Sequence, residues 1–199
     1  MRARSTPVLY LASRSPRRRA LLKQLGLAHR VLVADVDETP RPKETPEAHV
    51  RRLARLKAVV GAQRVRQQGL PPLPVLGADT VVVHKGRLLG KPRDDAEAAA
   101  MLKLLSGRQH QVLTAVAVMF EGKLQVALSA TRVMFRRLSA AEIEAYVKTG
   151  EPMDKAGAYA IQGLAAVFVR RIEGSYSGVM GLPLFETGRL LREFGIEIP

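Results

Sequence analysis

Apolar and polar positions follow two alternating periods along the chain, which predicts strands interleaved with helices. Short apolar runs at Val8–Ala12 and Val75–His84 are typical of buried strands, whereas Pro46–Gln68 repeats its apolar residues with helical spacing. Ser15-Pro16 and Thr45-Pro46 carry the residue types that begin helices. The alternation predicts a fold of the α/β class.

A long hairpin is predicted in the second half of the chain, because apolar segments flank the turn signal Glu121-Gly122 on both sides. Ser139 and Glu142 have the spacing of a capping box, which predicts a helix after them. The pattern also predicts strands at Arg30–Val36 and Ala165–Ile172, a loop at Gly174–Gly181 and a closing helix from Pro183 to Phe194.

The 199 residues predict one domain spanning residues 1–199, with two lobes around a cleft. The absence of cysteine excludes disulfides, thiolate catalysis and thiolate zinc sites. Five apolar residues near the N-terminus are too few for a secretory signal. No apolar run approaches the length of about 18 residues that a membrane span needs. We therefore expect a cytoplasmic protein with no membrane partner.

The excess of basic residues indicates an anionic partner. Thirty-two Lys and Arg residues against 18 Asp and Glu give a formal charge of +14, although arginine is spread over nearly every segment. The partner is nucleic acid, a membrane surface or a phosphorylated small molecule. Few aromatic residues and no tryptophan weaken the nucleic-acid interpretation. A basic nucleic-acid-binding or cell-division regulatory protein remains the alternative, and its binding should weaken steeply with salt.

Arginines occupy the start of the first predicted helix, in the segment Ser13–Arg19. Positive charge there opposes the helix dipole, at a cost of roughly 0.3–1 kcal/mol each. An anion over the helix end would bind both the N–H groups and the guanidinium groups. The alternative is a basic surface helix in an arginine-rich protein.

Two charged residues interrupt apolar patterns. Lys57 falls in the middle of the apolar face of its helix, so it should point to the core or a cleft, unless it snorkels to water. Asp79 interrupts the apolar segment Val75–Val83 and must meet a cation, a metal ion or the open end of the strand. The alternative is a structural aspartate that accepts backbone N–H bonds.

Two further charged residues are candidates for the same site. Lys91 precedes a capped helix, and Glu38 follows the predicted strand Arg30–Val36 as a second acid able to reach a shared metal. Asp37 would point the other way if the strand continued. A P-loop is rejected at Gly86–Lys91, because the spacing is one residue short and no Ser or Thr follows the lysine.

Taken in order, these segments resemble the Maf family of nucleotide pyrophosphatases. No single segment is decisive, but their ordered combination is specific and covers nearly the whole chain. The matching stretches are Leu11–Arg18, Leu76–Val82, Gly90–Asp94, Leu105–Gly107, Asp154–Tyr159, Ile161–Gly163 and Val179–Pro183.

The resemblance implies an elongated mixed β-sheet with flanking helices and a central cleft, similar to the inosine-triphosphate pyrophosphatase fold. It also implies hydrolysis of a nucleoside triphosphate to the monophosphate and pyrophosphate, with Mg²⁺ or Mn²⁺. The stretch Ala158–Gly163 is similar to the branch acting on dTTP and UTP, and modified pyrimidine nucleotides stay open as substrates. The branch acting on 7-methyl-GTP is the alternative within the family. A homodimer is left open, and no nucleic acid is required.

The resemblance also assigns roles to residues. Asp79 matches the catalytic position and, with Glu38, would bind the metal; we hypothesise that Asp79 takes the proton from water attacking the α-phosphorus. The chain departs from many relatives at Leu56, where a glutamate is common, and at Arg14. The other matches are Ser13, Arg17, Arg18, Lys57 and Lys91 for substrate binding, and Arg17, Thr80 and Gln162 for specificity.

Overall fold

A computed structural model describes residues 6–198. Within them single strands or strand pairs are interleaved with α-helices, and three 3₁₀-helices follow the fourth α-helix. The elements are β1 (Leu9–Leu11), α1 (Pro16–Gln24), β2 (His29–Val31), α2 (Pro46–Gln67), β3 (Val75–His84), β4 (Arg87–Leu89), α3 (Asp95–Leu105), β5 (Gln109–Phe120), β6 (Lys123–Phe135), α4 (Ala140–Val147), the 3₁₀-helices Glu151–Asp154, Ala156–Ala158 and Leu164–Phe168, β7 (Val169–Glu173), α5 (Tyr176–Met180) and α6 (Leu184–Arg192).

The strands form a mixed sheet in the order β2-β1-β3-β5-β6-β7, with β4 also paired to β3. β1 runs parallel to both β2 and β3, with Leu11 opposite Val31 and Leu76. β4 pairs antiparallel with β3, and β7 pairs antiparallel with β6. The predicted α/β class with a mixed sheet and helices is therefore confirmed.

The chain divides into two compact units. The first consists of the described parts of Met1–Asp79, Thr114–Leu128 and Gly181–Pro199, and the second consists of Thr80–Leu113 and Ser129–Met180. The prediction of one domain with two lobes around a cleft stays a prediction.

In the first unit, helix α2 lies very close to strand β3. A Cβ atom added at Gly77 of β3 would lie 2.5 Å from the carbonyl oxygen of Ala54 and 2.6 Å from the amide nitrogen of Ala58. A Cβ added at Gly61 of α2 would lie 2.7 Å from a methyl of Val75. Glycine on each element thus permits a contact between helix and strand that no larger residue allows.

In the second unit, the core is rich in edge-to-face aromatic contacts. The ring of Phe135 lies 4.8 Å from that of Tyr159, and the ring of Tyr146 lies 5.1 Å from that of Phe168. Both contacts have the perpendicular geometry that aromatic quadrupoles favour. Helix α3 covers this core with four buried apolar side chains, which are Ala98, Met101, Leu102 and Leu105.

The strand predicted at Arg30–Val36 is wrong beyond Val31. Among the described strands it pairs with β1 alone, which ends at Leu11, and the last bond between the two segments runs from Leu32 N to Leu11 O at 2.9 Å. Beyond this point the backbone bonds to a side chain instead, because Arg64 donates to the carbonyl of Val33.

Two other predicted elements are also wrong. Residues 164–168 form a 3₁₀-helix rather than the start of a strand, so β7 begins only at Val169. The loop predicted at Gly174–Gly181 contains α5, where Ser175 Oγ accepts a bond from Gly178 N at 2.9 Å. In both cases a side-chain oxygen caps a short helix that apolar periodicity does not reveal.

The remaining predictions are confirmed closely. β3 has its predicted bounds, β5 and β6 flank Glu121 and Gly122, and α4 begins at the capping box of Ser139 and Glu142. No helix within residues 6–198 is long and apolar enough to cross a membrane.

Candidate active site

Asp79 ends the first of the three segments that make up the first unit, and it lies in β3, a strand in which nine of ten residues are buried. It follows Gly77 by two positions, and side chains two apart on a strand point to the same face. The face that carries Asp79 is therefore the one on which α2 packs. Its side chain is 10% exposed, so its charge needs partners within the protein.

Lys57 on α2 is the direct partner of Asp79. Its Nζ lies 2.8 Å from Asp79 Oδ1 and 2.6 Å from Glu38 Oε1, so one ammonium bridges two carboxylates. Only 9% of the Lys57 side chain is exposed. Lys57 therefore does not snorkel to water, and Asp79 is not satisfied by the backbone alone.

Glu38 reaches this position from a loop that α2 anchors. The buried carboxylate of Glu44 accepts from Arg52 Nε at 2.6 Å and from Arg52 Nη2 at 2.8 Å, and His49 Nδ1 lies 3.0 Å from it. Arg52 Nη2 also donates to the carbonyl of Thr39 at 3.1 Å. The residue after Glu38 is thus tied to the same helix that carries Lys57.

The ion pair between Glu44 and Arg52 favours the charged form of both side chains. The hydrogen bonds from Arg52 hold the pKa of Glu44 well below its ordinary value, and the bond to Glu44 raises the pKa of Arg52. Neither Arg52 nor Glu44 is among the site residues predicted from the sequence.

The N-terminus of α1 holds a second group of polar residues in the first unit. Ser15 Oγ caps the helix by accepting from Arg18 N at 3.4 Å. Ser13 Oγ accepts from Ser15 N and from Arg18 Nη1, each at 3.2 Å, and Arg18 Nε donates to the carbonyl of Gly181 at 2.7 Å. The side chain of Arg18 is thereby fixed at the end of the helix.

Arg18 also interacts with the two carboxylates. Burial lowers the pKa of Arg18, and the positive charge of neighbouring Arg17 lowers it further. The negative charges of Asp79 and Glu38 act in the opposite direction and raise the pKa. A guanidinium remains protonated under such conditions. The structure therefore brings Ser13, Arg17, Arg18, Glu38, Lys57 and Asp79 together in the first unit.

The other predicted site residues belong to the second unit. Thr80 follows Asp79 directly and is half-buried, whereas Lys91 and Gln162 are exposed. The carbonyl of Gly90, next to Lys91, accepts from Gly157 N at 2.9 Å. The backbone before Lys91 is thus bonded to the segment that leads into the loop of Gln162.

The first unit suits a cation that shares its ligands with a substrate. No three side chains of His, Cys, Asp or Glu are grouped for metal binding anywhere in residues 6–198. Glu38 and Asp79 nevertheless converge on Lys57, and a carboxylate has two oxygens, so the bond to lysine does not exhaust its capacity. Magnesium is commonly bound by one or two carboxylates together with substrate phosphates.

Comparison with known proteins decides the family. The family model described as Maf-like protein matches residues 8–194. The chain belongs to the Maf-like protein family. The resemblance seen in the sequence is therefore confirmed.

Relatives of this Maf-like protein carry a shared name. A protein of Nitrosomonas europaea is 56% identical over 198 residues, with 96% of each chain covered. One from Chromobacterium violaceum is 56% identical, with 96% of each covered, and one from Cupriavidus metallidurans is 54% identical, with 96% of this chain and 98% of that protein covered. All three are named dTTP/UTP pyrophosphatase.

Solved structures are more distant. The Ham1 protein of Staphylococcus aureus aligns over 64% of this chain and 71% of its own, with a TM-score of 0.44 and 17% identity. A nucleoside-triphosphatase, described as a dITP/XTP pyrophosphatase, from Mycobacterium abscessus aligns over 65% and 73%, with a TM-score of 0.37 and 19% identity. Likeness at this level supports no conclusion about the site.

Proposed function

We propose that this Maf-like protein hydrolyses nucleoside triphosphates, with dTTP and UTP as preferred substrates, to the monophosphate and pyrophosphate. The observation that carries the proposal is the Lys57 ammonium held between the carboxylates of Asp79 and Glu38. Relatives that are 54–56% identical over nearly the whole chain are named for this activity. A nucleoside triphosphate substrate also fits the cytoplasmic location that the sequence predicts.

The start of α1 would bind the triphosphate. Its first turn contains no acidic residue, whereas Arg17 and Arg18 lie there beside Ser13. Helix N–H groups and guanidinium groups together form a favourable site for phosphate oxygens. Lys57 and Lys91 would add positive charge along the substrate, which offsets the negative charge that develops on the phosphates during reaction.

Glu38 and Asp79 would hold a divalent cation, Mg²⁺ or Mn²⁺. When bound, such an ion polarises phosphate oxygens and neutralises part of their charge. Lys57 keeps the two carboxylates close together, because without a positive charge between them they would repel each other. The loop anchored by Glu44 and Arg52 keeps Glu38 in reach of that lysine.

Asp79 would act as the general base. Its carboxylate takes a proton from the water whose oxygen attacks the α-phosphorus. The bond between the α-phosphorus and the bridging oxygen then breaks, and pyrophosphate leaves with that oxygen. The monophosphate retains the water oxygen, and the proton on Asp79 is released to solvent before the next turnover.

Gln162, Thr80 and Arg17 would determine the choice of substrate. The amide of Gln162 offers both a donor and an acceptor to a pyrimidine base, and its side chain is exposed. The proposal also includes modified pyrimidine nucleotides among the substrates and a homodimer as the assembly.

Labelled water provides a direct test. The protein is incubated with dTTP, UTP, dCTP and 7-methyl-GTP in H₂¹⁸O, with Mg²⁺ or Mn²⁺ and with EDTA as a control. We expect dTMP and pyrophosphate from dTTP, no reaction in EDTA, and the label in dTMP. Label in pyrophosphate would place the attack at the β-phosphorus, and release of orthophosphate would refute a pyrophosphatase activity.

A further inference from the structure

The exposed Gln162 lies on a turn whose backbone is held on both sides by buried groups. Gly163 N donates to the carbonyl of Ala160 at 3.0 Å, which closes the turn 160–163. Ala160 and Ala165, on either side of the turn, are buried, whereas the side chain of Gln162 is exposed. The fold therefore fixes the backbone around Gln162 and presents its amide outward.

Tyr146 holds the turn from the side of Ala160. Its ring is buried in the core against Phe168, and its hydroxyl accepts from Ala160 N at 3.3 Å. The same hydroxyl donates to Glu151 Oε1 at 2.9 Å. Burial, and then the bond to Glu151, raises the pKa of Tyr146, so its hydroxyl keeps its proton.

Glu151 holds the turn from the other side. Its carboxylate accepts from Leu164 N at 3.1 Å and from Ala165 N at 3.4 Å, at the start of the 3₁₀-helix Leu164–Phe168. These N–H groups would otherwise lack partners, as the first N–H groups of any helix do. The carboxylate of Glu151 thus caps the helix that follows Gln162. It also accepts from the hydroxyl of Tyr146, which in turn binds the backbone that precedes Gln162.

The space around Glu151 explains the glycine beside Gln162. A Cβ added at Gly163 would lie 2.4 Å from Glu151 Oε2 and 2.5 Å from Oε1. Any larger residue would displace the carboxylate from the helix end. Gly163, Glu151 and Tyr146 therefore form one interlocked unit, which we call the Gln162 brace.

We propose that Tyr146 and Glu151 are positioning residues for base recognition, acting by fixing the backbone on both sides of Gln162. The proposal rests on the proposed role of Gln162 in reading the base. Recognition of this kind requires the reading group to be held within about 0.5 Å of its productive position. Neither Tyr146 nor Glu151 contacts the substrate in this scheme.

The test compares kcat/KM for dTTP with kcat/KM for dCTP, because thymine and cytosine present opposite hydrogen-bonding groups at the same edge. Loss of the two hydrogen bonds of the Tyr146 hydroxyl in Tyr146→Phe, or weakening of the bonds to the carboxylate in Glu151→Gln, should lower this ratio by about three- to tenfold. The fall should come from a higher KM for dTTP, with kcat nearly unchanged.

Tyr10→Phe is the matched control. It also removes a buried hydroxyl, which donates to the carbonyl of Pro71 at 3.1 Å in the first unit, far along the chain from Gln162. This variant should also lose thermal stability, to a smaller extent because it loses one hydrogen bond rather than two, while the ratio stays unchanged. An equal fall of the ratio in the control would overturn the proposal, because the effect would then be general destabilisation.

Combination with Gln162→Ala separates the two proposals. If Tyr146 acts through Gln162, Tyr146→Phe should not lower the ratio further once the amide is absent. If Gln162→Ala lowers the ratio of kcat/KM for dTTP to that for dCTP, but Tyr146→Phe and Glu151→Gln leave it unchanged, the role of the brace alone is overturned. If Gln162→Ala leaves the ratio unchanged, both base reading by Gln162 and the role of the brace are refuted. If the wild-type protein releases no pyrophosphate from dTTP, the proposed activity itself is refuted.

Discussion

The charged cluster of Asp79, Lys57, Glu38 and Arg18 and the Gln162 brace are built in opposite ways. In the charged cluster, Lys57 and Asp79 lie on a long helix and a long strand, and the interactions are between full charges. In the brace, the backbone turns and short 3₁₀-helices are held by one hydroxyl and one carboxylate. Lys57 and Asp79, proposed to act on the phosphates, thus lie on long regular elements, whereas Gln162, proposed to read the base, lies on a turn held by few contacts.

The largest expected effect comes from the charged cluster. Asp79→Asn keeps the shape of the side chain but removes the base, so kcat for dTTP should fall by about 10²- to 10⁴-fold. Asp35→Asn, which changes an aspartate with 68% exposure in the same unit, should stay within about twofold of wild type because it alters only two long ion pairs near the surface, with Arg14 and Arg64. Retention of most turnover by Asp79→Asn would show that another group accepts the proton.

Two glycine variants compare how well the charged cluster and the Gln162 brace tolerate an added methyl group. In Gly77→Ala the new methyl meets the rigid backbone of α2, so unfolding free energy should fall by about 1–3 kcal/mol and kcat should fall with it. In Gly163→Ala the atoms nearest to the methyl belong to the side chain of Glu151, which can move, so stability should fall less, while the ratio of dTTP to dCTP hydrolysis should change.

Urea denaturation and steady-state kinetics measure both variants. Gly90→Ala is the control for stability, because nothing lies within 4 Å of a Cβ added there. Equal losses of stability at Gly77 and Gly163 would contradict the view that the first region is rigid and the second adjustable.

Mild acid should weaken the second unit through its buried histidine. His110 Nε2 lies 2.9 Å from the hydroxyl of Tyr159, and burial lowers the pKa of His110 from 6.5 to about 3. Between these values the unfolded chain binds a proton that the folded chain does not, so stability falls as pH falls. The slope for one such group is at most about 1.4 kcal/mol per pH unit.

Denaturation between about pH 5 and 6.5 isolates this effect, because ordinary carboxyl groups titrate at lower pH. His110→Gln should flatten the slope, whereas substitution of the exposed loop residue Lys43 by Gln should leave it unchanged. An unchanged slope in His110→Gln would mean that another group takes up the proton.

The smallest effect is expected at the anchor of the Glu38 loop. Lysine in Arg52→Lys cannot bond both Glu44 and the carbonyl of Thr39, so Glu38 should be held less firmly and kcat/KM should fall by about threefold. The concentration of Mg²⁺ needed for half-maximal rate should rise. Arg55→Lys, an exposed change one turn further along α2, should alter neither quantity.

The charged cluster was largely predictable from the sequence, because regular elements have fixed periods. The helical period placed Lys57 on the apolar face of α2, and the run of apolar residues identified Asp79 as a buried charge. Their pairing across 22 residues could not be read from either pattern. Glu38 was placed after a strand that in fact ends at Val31, so its position was expected for a partly wrong reason.

The Gln162 brace was not predictable, because long-range contacts determine it. The apolar residues after Ala165 have the pattern of a strand, but Glu151 binds Leu164 N from 13 positions earlier and stabilises a 3₁₀-helix instead. No local period marks a carboxylate that caps a helix so far away. The family resemblance identified Gln162 as a site residue, but it gave no indication of what holds it.

Lys57 also has a consequence for the interval between turnovers. A divalent cation that shared its ligands with the nucleotide would balance the charge of Asp79 and Glu38 only while the nucleotide is bound. Lys57 is part of the chain itself and lies between Asp79 and Glu38. It would therefore serve as a permanent counter-ion, which keeps Glu38 and its loop next to Lys57 between one turnover and the next.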